Sequence, residues 1–219
     1  MTNTLLKIRA RLTRWLVPAS LKPLSSKFGF DRGTPIDRYW IEKFLNQNSS
    51  LIRGRTLEIT DAKYTKKFGG ERVTRSDVLD INPKNKKANI HGDLRSLSQI
   101  KSGTYDCIIL THVLGLIDDF SAAAAECFRI LKPGGALLFT SSCLGPILNE
   151  KVYWRFTPHS VKYIFGKYFK SKNMVIETFG NVLAGQAFWL GMAQEDLNPS
   201  QLSHNDPRFP VIVTMRAVK

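Results

Sequence analysis

The chain has 219 residues, of which 43% are hydrophobic, so it can bury one good core, and no change of composition marks a second folded domain. Its 32 Lys and Arg residues against 18 Asp and Glu residues give a formal charge of +14, which favours an anionic partner such as nucleic acid, lipid headgroups or a phosphorylated small molecule. The three cysteines lie in apolar segments, and no apolar run approaches the roughly 20 residues that cross a bilayer, so a secreted disulfide framework is disfavoured and a cytoplasmic protein is expected.

The first 35 residues differ in pattern from residues 36–219, which form the main domain. In LLKIRARLTRWL, apolar residues recur at helical spacing on one side and basic residues cover the other, which predicts a short basic amphipathic helix. Two interpretations stay open: residues 1–17 rest on the anionic inner face of a membrane, or the helix packs on the domain. Pro35 then opens a second helix with an apolar stripe, formed by Ile36, Tyr39, Trp40, Phe44 and Leu45.

From residue 56 onward, strand-like and helix-like periods alternate. This alternation predicts an α/β fold with a mostly parallel sheet, helices on both faces and an antiparallel strand at the C-terminal edge. The predicted strands are Thr56–Thr60, Arg72–Asp77, Ala88–His91, Asp106–Thr111, Ala136–Ser141, Met174–Phe179 and Pro210–Arg216. The clearest helices are Phe120–Leu131, Pro158–Phe169 and Val182–Ala193.

Polar residues stand where several predicted strands end, and the carboxyl ends of parallel strands are where such sheets bind ligands. Asp77 lies 19 residues beyond Glu58, a spacing that suits a carboxylate accepting hydrogen bonds from both ribose hydroxyls of an adenosine, with Asp80 as a close competitor. Asp93 either accepts from an adenine amino group or caps a helix that begins near Leu94.

Three segments carry a resemblance to a known family. FRILKPGGALLFT, from Phe128 to Thr140, resembles the helix, Lys-Pro-Gly-Gly turn and fifth strand of the class I S-adenosylmethionine-dependent methyltransferases. YDCIILTHVLGLIDD is similar to their fourth strand and following loop, and YWRFTPHSVKYIF to a phrase after the fifth strand. More narrowly, FGFDRGTPIDRYWIEKFL and LEITDAKYTKKFGG resemble a bacterial subgroup associated with glycan or polysaccharide biosynthesis.

The resemblance implies a Rossmann-like fold of seven strands that binds S-adenosyl-L-methionine. In the family, a glycine-rich turn follows the first strand, because the backbone passes close to the cofactor there. Thr60, Ala62 and Tyr64 stand at those glycine positions, so an alternative loop is expected, with Glu58 organising the turn or reaching the ammonium group. The candidate cofactor-binding residues are Glu58, Thr60, Asp61, Asp77, Asp93, Leu94 and Thr111.

Methyl transfer to a hydroxyl requires a base, and His112 follows the fourth strand in position for that role, unless it only lines the cofactor pocket. Trp154 can stack on a sugar ring, or anchor the following helix in the core, and Arg155 can hold a phosphate or carboxylate. Arg38 and Tyr39 belong to a polar cluster, with Arg32 and Asp37, that resembles a family lid and makes both candidate substrate residues.

The sequence therefore predicts methyl transfer from S-adenosylmethionine to a small-molecule or glycan acceptor, most simply a sugar hydroxyl. A catalytically inactive binding subunit is one alternative, favoured by the glycine-poor loop. An RNA-modifying or RNA-binding protein is the other, suggested by the charge but disfavoured because the basic residues are scattered. No clustered set of histidines and carboxylates calls for a metal.

Overall fold

Seven strands form a single sheet in the computed structural model, which describes residues 21–148 and 151–219. The strands are β1 (Gly54–Ile59), β2 (Val73–Asp80), β3 (Ile90–His91), β4 (Tyr105–Thr111), β5 (Leu131–Ser142), β6 (Met174–Phe179) and β7 (Ile212–Val218). Their order is β3-β2-β1-β4-β5-β7-β6, and β7 runs antiparallel to both of its neighbours whereas the other pairs are parallel. The predicted Rossmann-like sheet is confirmed, with β7 inserted beside β5 so that β6 forms the edge.

Helices cover both faces of this sheet. They are α1 (Ile36–Gln47), α2 (Phe120–Ile130), α3 (Pro158–Phe165), α4 (Val182–Trp189) and α5 (Pro199–Ser203). Strand β4 contributes side chains to the core on both faces of the sheet. Ile108 and Leu110 pack in the cluster that contains α2 and α3, while Cys107 and Ile109 pack in the cluster that contains α1 and α4. Because successive side chains of a strand point to opposite faces, a strand covered on both sides is apolar throughout, as DCIILT predicted.

Side-chain caps fix where the helices begin. The Asp119 carboxylate accepts from the Ala122 N–H at the start of α2, and Thr157 and Ser160 form a reciprocal capping box at the start of α3. Two helices end earlier than predicted, α3 at Phe165 and α4 at Trp189. Glycines follow both ends closely, at 166 and 191, and glycine has low helix propensity.

Strand β2 runs three residues further than the predicted Arg72–Asp77, to Asp80. A charged side chain usually indicates that a strand has ended. Here the charged side chain is that of Asp77, which is buried and paired with arginines from β1 and β2. The carboxyl end of β2 is therefore at Asp80.

The Lys-Pro-Gly-Gly turn is an irregularity within β5 that directly follows α2. Tyr105 pairs with Leu131 and Cys107 with Ala136, so the turn residues bulge out of the ladder between them. Gly134 has a left-handed backbone (φ +78°), which a residue with a Cβ adopts only with strain. The bulge brings β5 alongside β4 in the register that aligns Thr111 with Thr140.

Residues 21–35 lie against the loop between α4 and α5. The Leu24 N–H donates to the Leu190 carbonyl over 2.8 Å, Pro35 forms an isolated bridge with Ala193, and Arg32 pairs with Asp196. The predicted amphipathic helix of residues 1–17 lies outside the described residues. Within the described part of the chain, no helix is long and apolar enough to cross a membrane.

Candidate functional site

The carboxyl ends of β1, β2, β4 and β5 meet at one edge of the sheet, which we call the carboxyl edge. The register pairs Ile59 with Leu79 and Thr111 with Thr140, so the residues that follow these strands are neighbours. Thr111, one of the predicted cofactor residues, ends β4 at this edge and is half-buried. Open parallel sheets bind ligands in the crevice outside such an edge.

Glu58 organises the loop that follows β1. Its two carboxylate oxygens accept from the backbone N–H groups of Tyr64, at 3.0 Å, and Thr65, at 2.7 Å. The side chain is buried, and burial raises the pKa of Glu58 above its ordinary value. Of the two predicted roles, these contacts correspond to the organising one, since both oxygens are used inside the loop.

The loop keeps the shape of a glycine turn without its glycines. Thr60 stands at the first expected glycine and has a left-handed backbone, φ +73°, which is unusual for a β-branched residue. Tyr64, at the third, is buried in the core cluster that contains α1, and its ring stacks on Phe68. Asp61, between them, accepts from the Lys63 N–H and lies 3.7 Å from the Lys87 ammonium.

Asp77, predicted to bind the ribose, lies inside β2 and not at its end. Its side chain is 0% exposed, and its oxygens accept from Arg55, Arg75, Asn89 and the Tyr105 hydroxyl. Burial opposes ionisation, but the hydrogen bonds from Asn89, Arg55 and Arg75 outweigh it and hold the pKa of Asp77 below its ordinary value. Both oxygens of this buried carboxylate thus accept hydrogen bonds from within the protein.

Asp80, the competing candidate, occupies the carboxyl end of β2. Its Oδ1 accepts from the Asn82 N–H at 2.8 Å, and its Oδ2 accepts from the Asn85 amide at 2.6 Å. The same Asn85 amide donates to the Thr60 carbonyl at 2.7 Å, which ties the loop after β2 to the loop after β1. Ile81 follows with 68% of its surface exposed, so a half-buried carboxylate and an apolar side chain stand together at this strand end.

Asp93 follows β3 and is engaged by Arg95, which also bonds Asp118 at 2.6 Å. These hydrogen bonds lower the pKa of Asp93. The predicted alternative of a helix cap is wrong, because no helix begins at residues 94–99 and Asp93 instead forms an isolated bridge with Ser96. Leu94 is buried in the core, next to Leu97 in the cluster that α2 covers.

His112 lies at the centre of the carboxyl edge, between α1 and β5. Its Nε2 is 2.9 Å from Oδ2 of Asp37, though not aligned for a hydrogen bond, and its Nδ1 is 3.3 Å from Oγ of Ser142. Its backbone is left-handed (φ +55°) and its N–H donates to the Thr140 carbonyl. Burial opposes the charge of Asp37, but His112 and Arg38 outweigh it and keep the pKa of Asp37 below its ordinary value.

The two predicted substrate residues of α1 lie in its first turn. The Arg38 guanidinium is 3.9 Å from the Asp37 carboxylate and also interacts with the Tyr64 hydroxyl. Tyr39 packs edge-on against Trp40, with ring centroids 5.9 Å apart. Arg38 thus lies next to the Asp37–His112 pair, whereas the Tyr39 ring packs against Trp40.

Trp154 and Arg155 line a cavity of about 350 Å³ beyond the end of β5. The Trp154 indole donates to the carbonyls of Ile117 and Asp118 and packs edge-on against Phe120, while 40% of the residue stays exposed. Trp154 is therefore anchored by these contacts and is also partly exposed to solvent. Arg155 donates to the carbonyls of Gly145 and Pro146, and among the described residues no carboxylate pairs with it. The cavity is lined by Cys143, Leu144, Gly145, Ile147, Val152, Tyr153, Trp154, Arg155 and Trp189.

The residues at the carboxyl edge fit a nucleoside cofactor. Within the described part of the chain, four buried side-chain atoms lack an aligned hydrogen-bond partner, and all four lie on elements that form this edge: Asp37 Oδ1, Thr65 Oγ1, His112 Nε2 and Thr140 Oγ1. Buried polar atoms normally have hydrogen-bond partners, so several atoms without a partner on the elements of one edge indicate a polar site. Asp80 and Ile81 add the acceptor and the apolar surface that a ribose and a base require. Nothing in the sequence singled out Ile81, Asn85 or Ser142.

Comparison with known proteins agrees with this geometry. A family described as a methyltransferase domain matches residues 60–139. A demethylmenaquinone methyltransferase from Leptospira interrogans is 32% identical over 71 residues, which are 31% of this chain and 28% of that relative. The same similarity holds for the protein of a second strain of that species. The chain therefore matches less than a third of the length of these curated relatives.

Solved structures agree over most of the chain. A SAM-dependent methyltransferase from Archaeoglobus fulgidus has a TM-score of 0.58 at 15% identity, covering 83% of this chain and 94% of that one. The N-methyltransferase NodS from Bradyrhizobium japonicum, solved with S-adenosyl-L-homocysteine, has a TM-score of 0.53 at 16% identity, covering 86% and 89%. At these identities the likeness concerns the fold, and it defines a Rossmann-like methyltransferase fold. The fold is that of the class I S-adenosylmethionine-dependent methyltransferases, and the match to a methyltransferase domain covers residues 60–139 of the chain.

Proposed function

We propose that the protein transfers the methyl group of S-adenosylmethionine to a hydroxyl group of a sugar or glycan acceptor. The observation that carries this proposal is the pairing of His112 with the buried Asp37 carboxylate at the carboxyl edge. A hydroxyl must lose a proton when it is methylated, and a histidine next to a buried carboxylate is suited to take one.

The proposed cofactor site uses the loops after β1 and β2. Asp80 accepts hydrogen bonds from the ribose hydroxyls, and the exposed Ile81 covers one face of the adenine. Asp93, which is only partly buried, lies near the other end of the base in this proposal, and Glu58 holds the loop in which Thr60 replaces glycine. When bound, S-adenosylmethionine supplies an electrophilic methyl group on a positively charged sulfur.

The proposed acceptor site is the cavity beside Trp154 and Arg155. Aromatic faces stack on sugar rings, and Arg155, which pairs with no carboxylate among residues 21–148 and 151–219, is suited to a phosphate or carboxylate of the acceptor. Burial lowers the pKa of Arg155, yet a guanidinium keeps its proton in proteins, so the charge persists in the cavity. The choice of a sugar as the acceptor is supported by this cavity and by the resemblance of LEITDAKYTKKFGG to the subgroup associated with glycan biosynthesis.

Calorimetric titration with S-adenosylmethionine and S-adenosylhomocysteine tests the cofactor site. We expect binding by the wild type and a loss of about tenfold or more in Asp80→Asn, the equivalent of about 1.4 kcal/mol. Asp206→Asn is the matched control, because Asp206 pairs with Arg208 outside this edge. Absence of binding by the wild type at millimolar ligand would contradict the proposal and favour the inactive-subunit alternative.

A radiolabelled methyl-transfer assay with glucose and glucose 6-phosphate tests the acceptor class. We expect the phosphorylated sugar to be the better acceptor, and Arg155→Gln to reduce that preference without changing cofactor affinity. Lys151→Gln is the control for loss of one nearby positive charge. Equal rates with both sugars, unchanged by Arg155→Gln, would contradict an anionic acceptor.

A further inference from the structure

We propose that Ser142 passes the acceptor proton to His112, so that the base of this enzyme is an Asp37–His112–Ser142 relay. The inference rests on the proposed function, since a relay is needed only where the acceptor carries a proton that must leave. It adds one residue, Ser142, that touches the acceptor, and gives Asp37 a positioning role.

The contacts of the imidazole decide which nitrogen can act. Nε2 is buried and stands 2.9 Å from the Asp37 carboxylate, so the relay assigns the proton of the neutral ring to this nitrogen, next to the negative charge. Nδ1 is then the nitrogen with the free electron pair. A ring nitrogen has a single in-plane electron pair, and Ser142 Oγ stands 3.3 Å from Nδ1. An acceptor therefore reaches the base through the Ser142 hydroxyl.

Ser142 is held in place at the end of β5, beside His112. It is the last residue of β5, it pairs with Ile212 of β7, and its carbonyl accepts from the Phe156 N–H. The next residue, Cys143, already lines the cavity that contains Trp154 and Arg155. Ser142 itself is buried, with 8% of its surface exposed, and in the proposed relay its hydroxyl bonds the acceptor as well as the imidazole.

The energetics of the Asp37–His112 contact indicate a function other than stability. Asp37 Oδ1 is buried without a hydrogen-bond partner, and an unmet buried group costs about 1–3 kcal/mol. His112 also has a left-handed backbone, which costs about 1–2 kcal/mol in a residue other than glycine. Costs of this kind concentrate at sites where a side chain has to be aimed.

The proton balance of the relay is simple. As the acceptor oxygen bonds the methyl carbon, its proton moves to Ser142 Oγ, and the Ser142 proton moves to His112 Nδ1. The bond pair of the methyl group stays with the cofactor sulfur. His112 ends as an imidazolium whose charge Asp37 balances, and it later releases the proton to water. The charged and titratable groups around the ring are Asp37 and Arg38 from α1, Tyr64 behind Arg38, and Ser142 from β5.

Nitrogen-15 NMR of histidine-labelled protein tests the geometry without cofactor or acceptor. The chain has four histidines, and His112→Gln assigns the signal. We expect His112 in the neutral form to be protonated at Nε2, to lose that preference in Asp37→Asn, and to show a changed Nδ1 shift in Ser142→Ala. Ser142→Thr keeps the hydroxyl and restores the shift, and Ser141→Ala, the neighbouring buried hydroxyl, leaves it unchanged.

Acylation of His112 by diethyl pyrocarbonate, read by mass spectrometry, gives a second measure. Because Ser142 covers Nδ1, we expect Ser142→Ala to raise the acylation rate at least threefold and Ser141→Ala to leave it unchanged. A ring protonated at Nδ1 in the wild type, or Ser142→Ala behaving like Ser141→Ala in both measurements, would overturn the relay. Calorimetry with S-adenosylmethionine on the same samples tests the proposed function separately, so the two failures are distinguishable.

Discussion

Arg55 donates from Nε to Oδ2 of Asp77 over 2.7 Å, across the ladder between β1 and β2. The carboxylate is fully buried, whereas the arginine keeps about a third of its side chain in solvent. Asn89 and Arg75 complete the set of donors on the other oxygen. A buried charge is acceptable here because both of its oxygens have donors, and these donors tie β2 to β1 and to the segment before β3.

Asp77→Asn should therefore act on stability and leave the cofactor site intact. Removing one member of a buried charge cluster costs about 3–5 kcal/mol, and the amide keeps some of the hydrogen bonds, so we expect a loss of about 2–3 kcal/mol in urea unfolding. The affinity of the folded protein for S-adenosylmethionine should stay within about twofold, because the side chain does not face the crevice. A loss of binding as large as that of Asp80→Asn would contradict this assignment.

The same cluster should make stability depend on pH in a defined window. The pKa of Asp77 is lower in the folded chain than in the unfolded chain, so its contribution is complete above the unfolded value of about 3.9. This stabilisation is lost as the pH falls from the unfolded-state pKa through the folded-state pKa. Over that interval the proton binds the Asp77 carboxylate of the unfolded state more readily than that of the folded state. We expect the unfolding free energy of the wild type to drop between about pH 5 and pH 2, and that of Asp77→Asn to drop less. Parallel curves would show that other carboxylates dominate.

Thr60→Gly should stabilise the protein, in contrast to most Thr-to-Gly changes. The left-handed backbone of Thr60 costs about 1–2 kcal/mol, whereas the added freedom of glycine in the unfolded chain costs about 0.5–1 kcal/mol. We expect a net gain of up to about 1 kcal/mol in urea unfolding. Thr60→Val, which keeps the branched side chain without the hydroxyl, separates strain from hydrogen bonding. Destabilisation by Thr60→Gly would mean that the Thr60 side chain makes a favourable contact.

Local patterns predicted the elements well because the physical causes were local. The apolar run of β4 follows from burial on both faces, and the helix starts at Phe120 and Pro158 follow from the caps that precede them. The end of β2 was misjudged because the donors that make Asp77 acceptable, Arg55 and Asn89, belong to other segments. Burial of a charge is a tertiary property that a single strand does not display.

The candidate site was predictable only in part for the same reason. His112 was found because it follows a strand, and its role could be named from its chemistry. Its partners come from α1 and from the end of β5, and nothing in the local pattern ties Asp37 or Ser142 to it. The shape of the loop after β1 was equally hidden, since Thr60 adopts a conformation that its own side chain disfavours and that the carbonyl of Leu79 and the amide of Asn85 hold in place.

The two glycines of the Lys-Pro-Gly-Gly turn should differ in their response to alanine. A Cβ on Gly135 would stand 2.9 Å from the backbone oxygens of Lys132 and Tyr105, and neither oxygen can move without breaking the bulge that sets the β4–β5 register. A Cβ on Gly134 meets open space and has only its left-handed backbone to oppose it. We expect Gly134→Ala to cost about 1 kcal/mol and Gly135→Ala about 2–3 kcal/mol in urea unfolding. Because β4 and β5 carry His112 and Ser142, Gly135→Ala should also alter the nitrogen-15 signals of His112, whereas Gly134→Ala should not. Equal costs for the two substitutions would mean that close packing at Gly135 does not hold the register.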